Sequence, residues 1–194
     1  MNEDGTMARL PDLIAFAQKH GLKIGTISDL IAYRRRHDNL IAERAQMPVH
    51  SRHGGDWMMR IYADVTHGAE HIVLSKGDLT TGEPVLVRMH ALDPLHDVLG
   101  IGHESSGDIA TAMDLIAQEG RGVVVLIRDL SPNVTVPGDD VSPHTLRVYG
   151  LGAQILSSLG LSELVLLTNS APLKVVGLDA YGLSIHSTRP IPKD

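Results

Sequence analysis

Imidazoles and carboxylates crowd one stretch of the chain. His90, Asp93, His96, Asp97, His103 and Glu104 lie close together, and their nitrogen and oxygen donors suit a hard divalent metal. Their spacing matches no metal-site motif, so the expectation is a solvated polar loop that holds no ion and no cofactor. The sequence has no cysteine, which removes disulfides and thiolate metal ligands together. A second charged feature, Arg34, Arg35 and Arg36, reads as a solvated helix end favoured by the macrodipole rather than as an anion contact.

The elements that would position these groups follow from periodicity. Val85, Leu86 and Val87 predict a buried strand ahead of the polar loop, and a helix follows it, closing at Gly120. Ile109, Met113 and Ile116 share one helical face, and Asp108 in the first turn suits the helix dipole. A strand feeding a loop feeding a helix is where α/β proteins place chemistry.

Upstream, Pro11 suits a first helical position, Leu13, Ile14 and Ala17 mark an apolar face, and Gly21 suits the C-cap. LKIGT predicts a short strand, and Thr26 with Asp29 a capping box. Residues 37–46 read as a charged helical bridge. From Met47 the period shifts to two, predicting a hairpin about Gly54-Gly55 with Trp57, Met59 and Ile61 on one face and Met58, Arg60 and Tyr62 on the other. EHIVLSKGD continues the sheet, and VVVLIR and ELVLLTN predict further buried strands. TVPGDDVSPH is a turn-rich connection.

With 194 residues, 43% hydrophobic and 21% charged, the chain can bury one ordinary core. A formal net charge of −6 argues against a general nucleic-acid binder. No apolar run reaches the roughly 20 residues of a membrane helix, and the polar, acidic N-terminus does not read as a signal peptide. These features predict a cytoplasmic α/β protein that takes neither nucleic acid nor membrane as a partner.

Two stretches resemble known families. Met1 to Arg36, through NEDGTMAR, LKIGTI and DLIAYRR, resembles the tail of 3,4-dihydroxy-2-butanone 4-phosphate synthase. That resemblance implies that the synthase's catalytic residues lie upstream of this segment. The chain alone is therefore not expected to run the synthase reaction. The rest resembles GTP cyclohydrolase II, which opens the guanine ring of GTP in riboflavin synthesis. The shared frame is VLVRMH, HDVLG, AQEGRGVVVLIRD, LRVYGLGAQIL and LLTN, with Gly68, Glu70, His71, Lys76, Gly77 and Asp78 read as scaffold. In many bacteria the two families occur as one fused protein.

The resemblance implies a fold and also a loss. It implies an α/β fold with a mixed sheet flanked by helices, divided as 1–36 synthase tail, 37–46 linker and 47–194 cyclohydrolase II-like domain, with a final helix and edge strand. The family's three zinc cysteines fall on Asp93, Glu104 and Ser106. Its guanine-reading Glu and a loop Arg fall on Leu130 and Pro132. Arg147 falls on the arginine proposed as nucleophile, but its acidic partner is Thr145 here. Arg147 is therefore at most a catalytic remnant, and Arg88, Thr168 and Lys174 are the expected contacts for a phosphate or nucleotide. The expected function is a catalytically degenerate domain serving regulation, assembly or phosphate-ligand binding. The alternative is an active cyclohydrolase II-type hydrolase with a non-cysteine metal site. Expected partners are the fused synthase domain, a phosphate-bearing small molecule and a second copy of the chain in a homodimer.

Overall fold

Alternating residues in the first half and continuous apolar runs in the second combine into one sheet of two kinds. The computed structural model describes residues 5–27, 29–30, 33, 41–65, 68–101, 108–128, 144–169 and 178–192, and for 144–149 the backbone alone. Strands β1 (Ile41–Ser51), β2 (Gly55–Asp64) and β3 (Glu70–Lys76) form an antiparallel meander. Strands β4 (Val85–Ala91), β5 (Gly122–Ile127), β6 (Glu163–Leu167) and β7 (Ser184–Arg189) run parallel. An antiparallel pairing of β3 with β5 joins the halves in the order β1-β2-β3-β5-β4-β6-β7. This is the mixed sheet that the sequence implied.

Four α-helices accompany the sheet among the described residues: α1 (Leu10–His20), α2 (Pro94–Asp97), α3 (Asp108–Glu119) and α4 (His144–Ser158). Parallel neighbours need crossover connections, and α3 carries β4 to β5 while α4 carries β5 to β6. The two helices cover opposite faces. Val85, Val87, Val123, Val125 and Ile127 pack with Ala153, Ile155 and Leu156 of α4. Leu86, Val124 and Leu167 pack with Ala112, Met113 and Ile116 of α3, joined by Trp57. Strands buried on both faces read as unbroken apolar runs, which is why VLV and VVVLI were legible. The chain leaves the end of β4 toward α2 and α3, at the carboxyl ends of the parallel strands, where open α/β sheets take ligands.

Helix α3 lies close against the sheet. A Cβ on Gly122 would stand 2.7 Å from both the Leu86 carbonyl and an Ile116 methyl. Trp57 and Tyr62 divide between the two cores as the alternation of β2 requires. Around α1, Gly21 takes the left-handed C-cap (φ 63) and Leu22 N–H donates to Ala17 O at 2.9 Å. The capping box is present, with Asp29 N–H donating to Thr26 Oγ1 at 3.0 Å and Thr26 N–H to the Asp29 carboxylate at 3.1 Å. The Thr26 hydrogen bonds hold the Asp29 carboxyl below its usual range.

Two expectations fail. The helical bridge drawn through 37–46 is a strand from Ile41 onward, because Ile41 to Gln46 pair with Asp64 to Arg60 of β2. Partnering across the hairpin overrides the helix-favouring composition of IAERAQ. LKIGT forms no strand: among the described residues nothing pairs with it, and Leu22 and Ile24 stand 56% and 49% exposed. A strand has no stability without a ladder partner. Of the stretch expected to hold the final helix, the described residues form a 3₁₀ turn, Leu178–Tyr181, before β7, which is the sheet's edge strand as implied. The Arg34–Arg36 run and residues 135–143 of the connection TVPGDDVSPH lie outside the described residues.

Candidate functional site

Where β4 ends, its side chains build a polar cluster facing α2 and the start of α3. Arg88 is at its centre. Its Nη1 donates to Leu167 O at the end of β6 (3.1 Å), and its Nη2 lies 3.5 Å from the Asp108 carboxylate and 3.3 Å from His90 Nδ1. The Arg88 and Asp108 side chains are only 12% and 13% exposed. His90 Nε2 stands 2.8 Å from Asp97 Oδ2, with side chains 11% and 10% exposed, and the same oxygen accepts from Asp93 N–H at 2.9 Å. One tautomer satisfies every contact: His90 donates through Nε2 to the Asp97 carboxylate and accepts from Arg88 at Nδ1.

These distances correct the picture of a solvated loop. From His90 to Asp97 the segment is folded, with imidazole and carboxylate turned inward. Asp93 caps the short helix α2, accepting from Leu95 N–H at 3.0 Å and His96 N–H at 3.4 Å. Asp108, read from the sequence as a partner of the helix dipole, is also the counter-ion of Arg88. Its distance along the chain concealed this role, because α3 must first return its own N-terminus to the end of β4. Both ring nitrogens of His90 are engaged, so the His–Asp pair turns neither toward a substrate.

The expected contact residues fare unevenly. Arg88 and Thr168 are brought together, since Arg88 grips the carbonyl of the residue preceding Thr168. Thr168 N–H donates to Arg189 O at 3.0 Å, anchoring β7. Its neighbour Asn169, read only as strand, fastens the chain end: Nδ2 donates to Ile191 O and Oδ1 accepts from Ile191 N–H, both at 2.9 Å. Arg147 lies in the first turn of α4, where only the backbone is described. Lys174, His103, Glu104, Ser106, Leu130 and Pro132 lie outside the described residues.

The donor set does not fit the zinc that the family implies. The three-sulfur site has no cysteine to build it, and Asp93, at one of those positions, is committed as a helix cap. Among the described residues no group of three His, Cys, Asp or Glu side chains could hold a metal ion.

A mixed sheet whose parallel half lies between two helix layers, with a polar cluster where β4 ends, defines an α/β protein. The family model of GTP cyclohydrolase II matches residues 42–136 and 133–190, and that of 3,4-dihydroxy-2-butanone 4-phosphate synthase matches 1–33. The chain belongs to the GTP cyclohydrolase II family, with a short synthase segment at its N-terminus. Its relatives include a riboflavin biosynthesis protein RibBA of Bacillus cereus, 39% identical over 211 residues, covering 98% of this chain and 53% of the relative. Another is a 3,4-dihydroxy-2-butanone 4-phosphate synthase of Pseudomonas syringae pv. tomato, 37% identical over 206 residues, covering 99% and 55%. A crystal structure of RibBX, a two-domain 3,4-dihydroxy-2-butanone 4-phosphate synthase from A. baumannii, superposes with a TM-score of 0.60 at 29% identity, covering 100% of this chain and 52% of that one. The chain thus spans about half the length of the relatives it matches. Among the described residues, no helix is long and apolar enough to cross a membrane.

Proposed function

We propose that this is a catalytically degenerate cyclohydrolase II-like domain of a bacterial, cytoplasmic riboflavin biosynthesis protein. In this reading it serves a fused 3,4-dihydroxy-2-butanone 4-phosphate synthase unit, by packing against it or by carrying a phosphate-bearing effector. The observation that carries the proposal is the fate of the zinc positions: no thiolate is available, and Asp93 is spent on capping α2. Without an activated water, attack on the purine ring loses its nucleophile. Two relatives of this architecture bear the synthase name alone, which is in keeping with a second domain that adds no reaction. The division into a synthase tail to residue 36, a linker and a cyclohydrolase II-like unit belongs to the same reading. In this reading the strand that begins at Ile41, ahead of Met47, goes with the second unit.

In this reading the contacts for a phosphate ligand are Arg88, Arg147, Thr168 and Lys174, and Arg88 also braces the end of β6 through Leu167 O. Each charge-assisted contact contributes roughly 1.5–3 kcal/mol when desolvated. Asp108 already offsets the Arg88 charge, so affinity rests on the other cations. The assembly in this reading is a homodimer of the fused protein. The test is calorimetry with GTP, ribulose 5-phosphate and flavin mononucleotide, beside synthase assays of the fused protein with and without this domain. If no ligand binds and deletion leaves synthase turnover and stability unchanged, the proposal fails. Formate release from GTP with magnesium or zinc, lost in Arg147→Ala, would instead establish the active-hydrolase alternative.

A further inference from the structure

On the α3 side of the parallel strands lies a cavity of about 360 Å³. Leu86 of β4 and Val165 of β6, direct neighbours in the ladder, line it together with Pro84. The remaining lining is charged: Arg121 just before β5, Arg189 at the end of β7, and Glu119 at the end of α3. None of these residues belongs to the anion contacts proposed above.

We propose that this cavity is a second binding site, one that takes a small organic anion: a carboxylate or phosphate group on a short apolar body. Arg121 supplies the main argument. It is held by the turn between β3 and β4, donating to Thr81 Oγ1 and, at 3.1 Å, to Pro84 O. Both acceptors are neutral, and among the described residues no carboxylate contacts it. Asp78 feels Arg121 only through space, its carboxyl being held low chiefly by Thr80. A guanidinium offers five N–H donors in a fixed fork, so Arg121 keeps donors in a preorganised position, its charge offset only through space by Asp78.

Arg189 supplies the second cation. Its Nη1 is 3.2 Å from Glu119, and the two side chains are 44% and 57% exposed. Of the two guanidiniums, Arg189 alone is in contact with a carboxylate among the described residues. Glu119 is a displaceable counter-ion, because the C-terminal end of α3 disfavours negative charge. The same field opposes the ligand's anion, which is why both arginines are needed. The apolar lining of Leu86, Val165 and Pro84 has no counterpart in a pure phosphate site. It would take the body that carries the anion, and the volume lies at the small end of natural ligand pockets.

The test is a titration of the full 194-residue chain, methyl-labelled at Leu and Val, with butyrate and separately with inorganic phosphate. Butyrate should give saturable shifts at the Leu86 and Val165 methyls, and phosphate, lacking an apolar body, should bind more weakly. Arg189→Gln should weaken butyrate by about ten-fold, the loss expected for one charge-assisted contact. Glu119→Gln should tighten it several-fold by removing the competing carboxylate. Both positions are exposed, so both variants keep the fold, and a purely structural ion pair would give no opposite effects. No saturable shift with butyrate, equal affinity across wild type and both variants, or phosphate binding as tight as butyrate would each overturn the proposal. A failure of the phosphate reading at Arg147 and Lys174 would leave this titration unaffected.

Discussion

Replacing Asp108 by Asn decides whether Arg88 is a brace of the fold or a cation held ready for a ligand. The pair is 3.5 Å apart, with side chains 12% and 13% exposed. At an effective dielectric of about 20, the gross attraction works out at about 5 kcal/mol. Desolvating both groups takes back a large part of it. Asn keeps the shape and one acceptor oxygen, so the hydrogen bond survives in neutral form while the charge compensation goes. Arg88 cannot simply turn to solvent, because its other contacts, to Leu167 O and His90, hold it in place. The expected loss is about 2–3 kcal/mol, or a fall in Tm of roughly 4–12 °C for a chain of this size. Urea and thermal unfolding followed by circular dichroism measure it. The double variant Arg88→Met with Asp108→Leu should recover to within about 1–2 kcal/mol of wild type, since removing both charges removes the burial cost. A loss below about 0.5 kcal/mol in Asp108→Asn, the range of ordinary surface changes, would refute the reasoning. Arg88 would then be a solvated cation available to a phosphate.

Gly77→Ala should cost about 2–4 kcal/mol in urea unfolding. Gly77 has a left-handed φ of 72, which disfavours a side chain by about 1–2 kcal/mol, and a Cβ would press on the Gly120 carbonyl and on Arg121 Cα at 3.1 Å. Burial raises the Tyr62 phenol above its ordinary 10.0, with the Glu43 charge acting the same way and the Ser158 hydrogen bond against it. The folded state therefore holds that proton longer than the unfolded state. Its contribution is fully present below pH 10 and is lost as pH rises through the folded value; tyrosinate absorbance should show a late-titrating phenol that Tyr62→Phe removes. Elemental analysis of the purified chain should find no stoichiometric zinc, and about one tightly bound zinc per chain would contradict the account of the metal loop.

Sequence pattern revealed the elements whose causes are local or repetitive. Ile109, Met113 and Ile116 marked the face of α3, VLV and VVVLI marked strands buried on both sides, and Gly21 and the Thr26–Asp29 box marked helix ends. What pattern could not reveal depends on which elements become neighbours. IAERAQ carries helix-favouring residues, yet it is a strand because β2 offers it a ladder. LKIGT carries strand-favouring residues, yet it pairs with nothing described. The cluster at the end of β4 failed as a solvated loop for the same reason. Its partners arrive from α2, α3 and β6, and no spacing rule links Arg88 to Leu167 O or to Asp108. The Arg121–Arg189 cavity is a stronger case, for its lining is drawn from β4, β6, β7 and the end of α3.

The resemblance to cyclohydrolase II divides its shared and altered positions along a physical line. Arg88, kept from the family frame, ties β4 to β6 and α3. His90 and Asp97, also kept, fasten α2 to the end of β4. Gly152 leaves room for the Met89 side chain between α4 and the sheet, and Asn169 fixes Ile191 with two backbone hydrogen bonds. Each of these contacts is made within the chain and stabilises it whether or not a ligand binds. The altered positions are of another kind. By the sequence resemblance, Asp93, Leu130, Pro132 and Thr145 would stand where the family is expected to place groups that meet a metal, a guanine edge or a developing charge. Such groups contribute to transition-state binding and often cost stability in the free protein, so on that resemblance their replacement would not be expected to weaken the fold. Asp93 goes further, since as a carboxylate it caps α2 in a way that a metal-bound thiolate could not. An exchange of reaction chemistry for local stability at that position is what a domain kept for binding or assembly would be expected to accumulate.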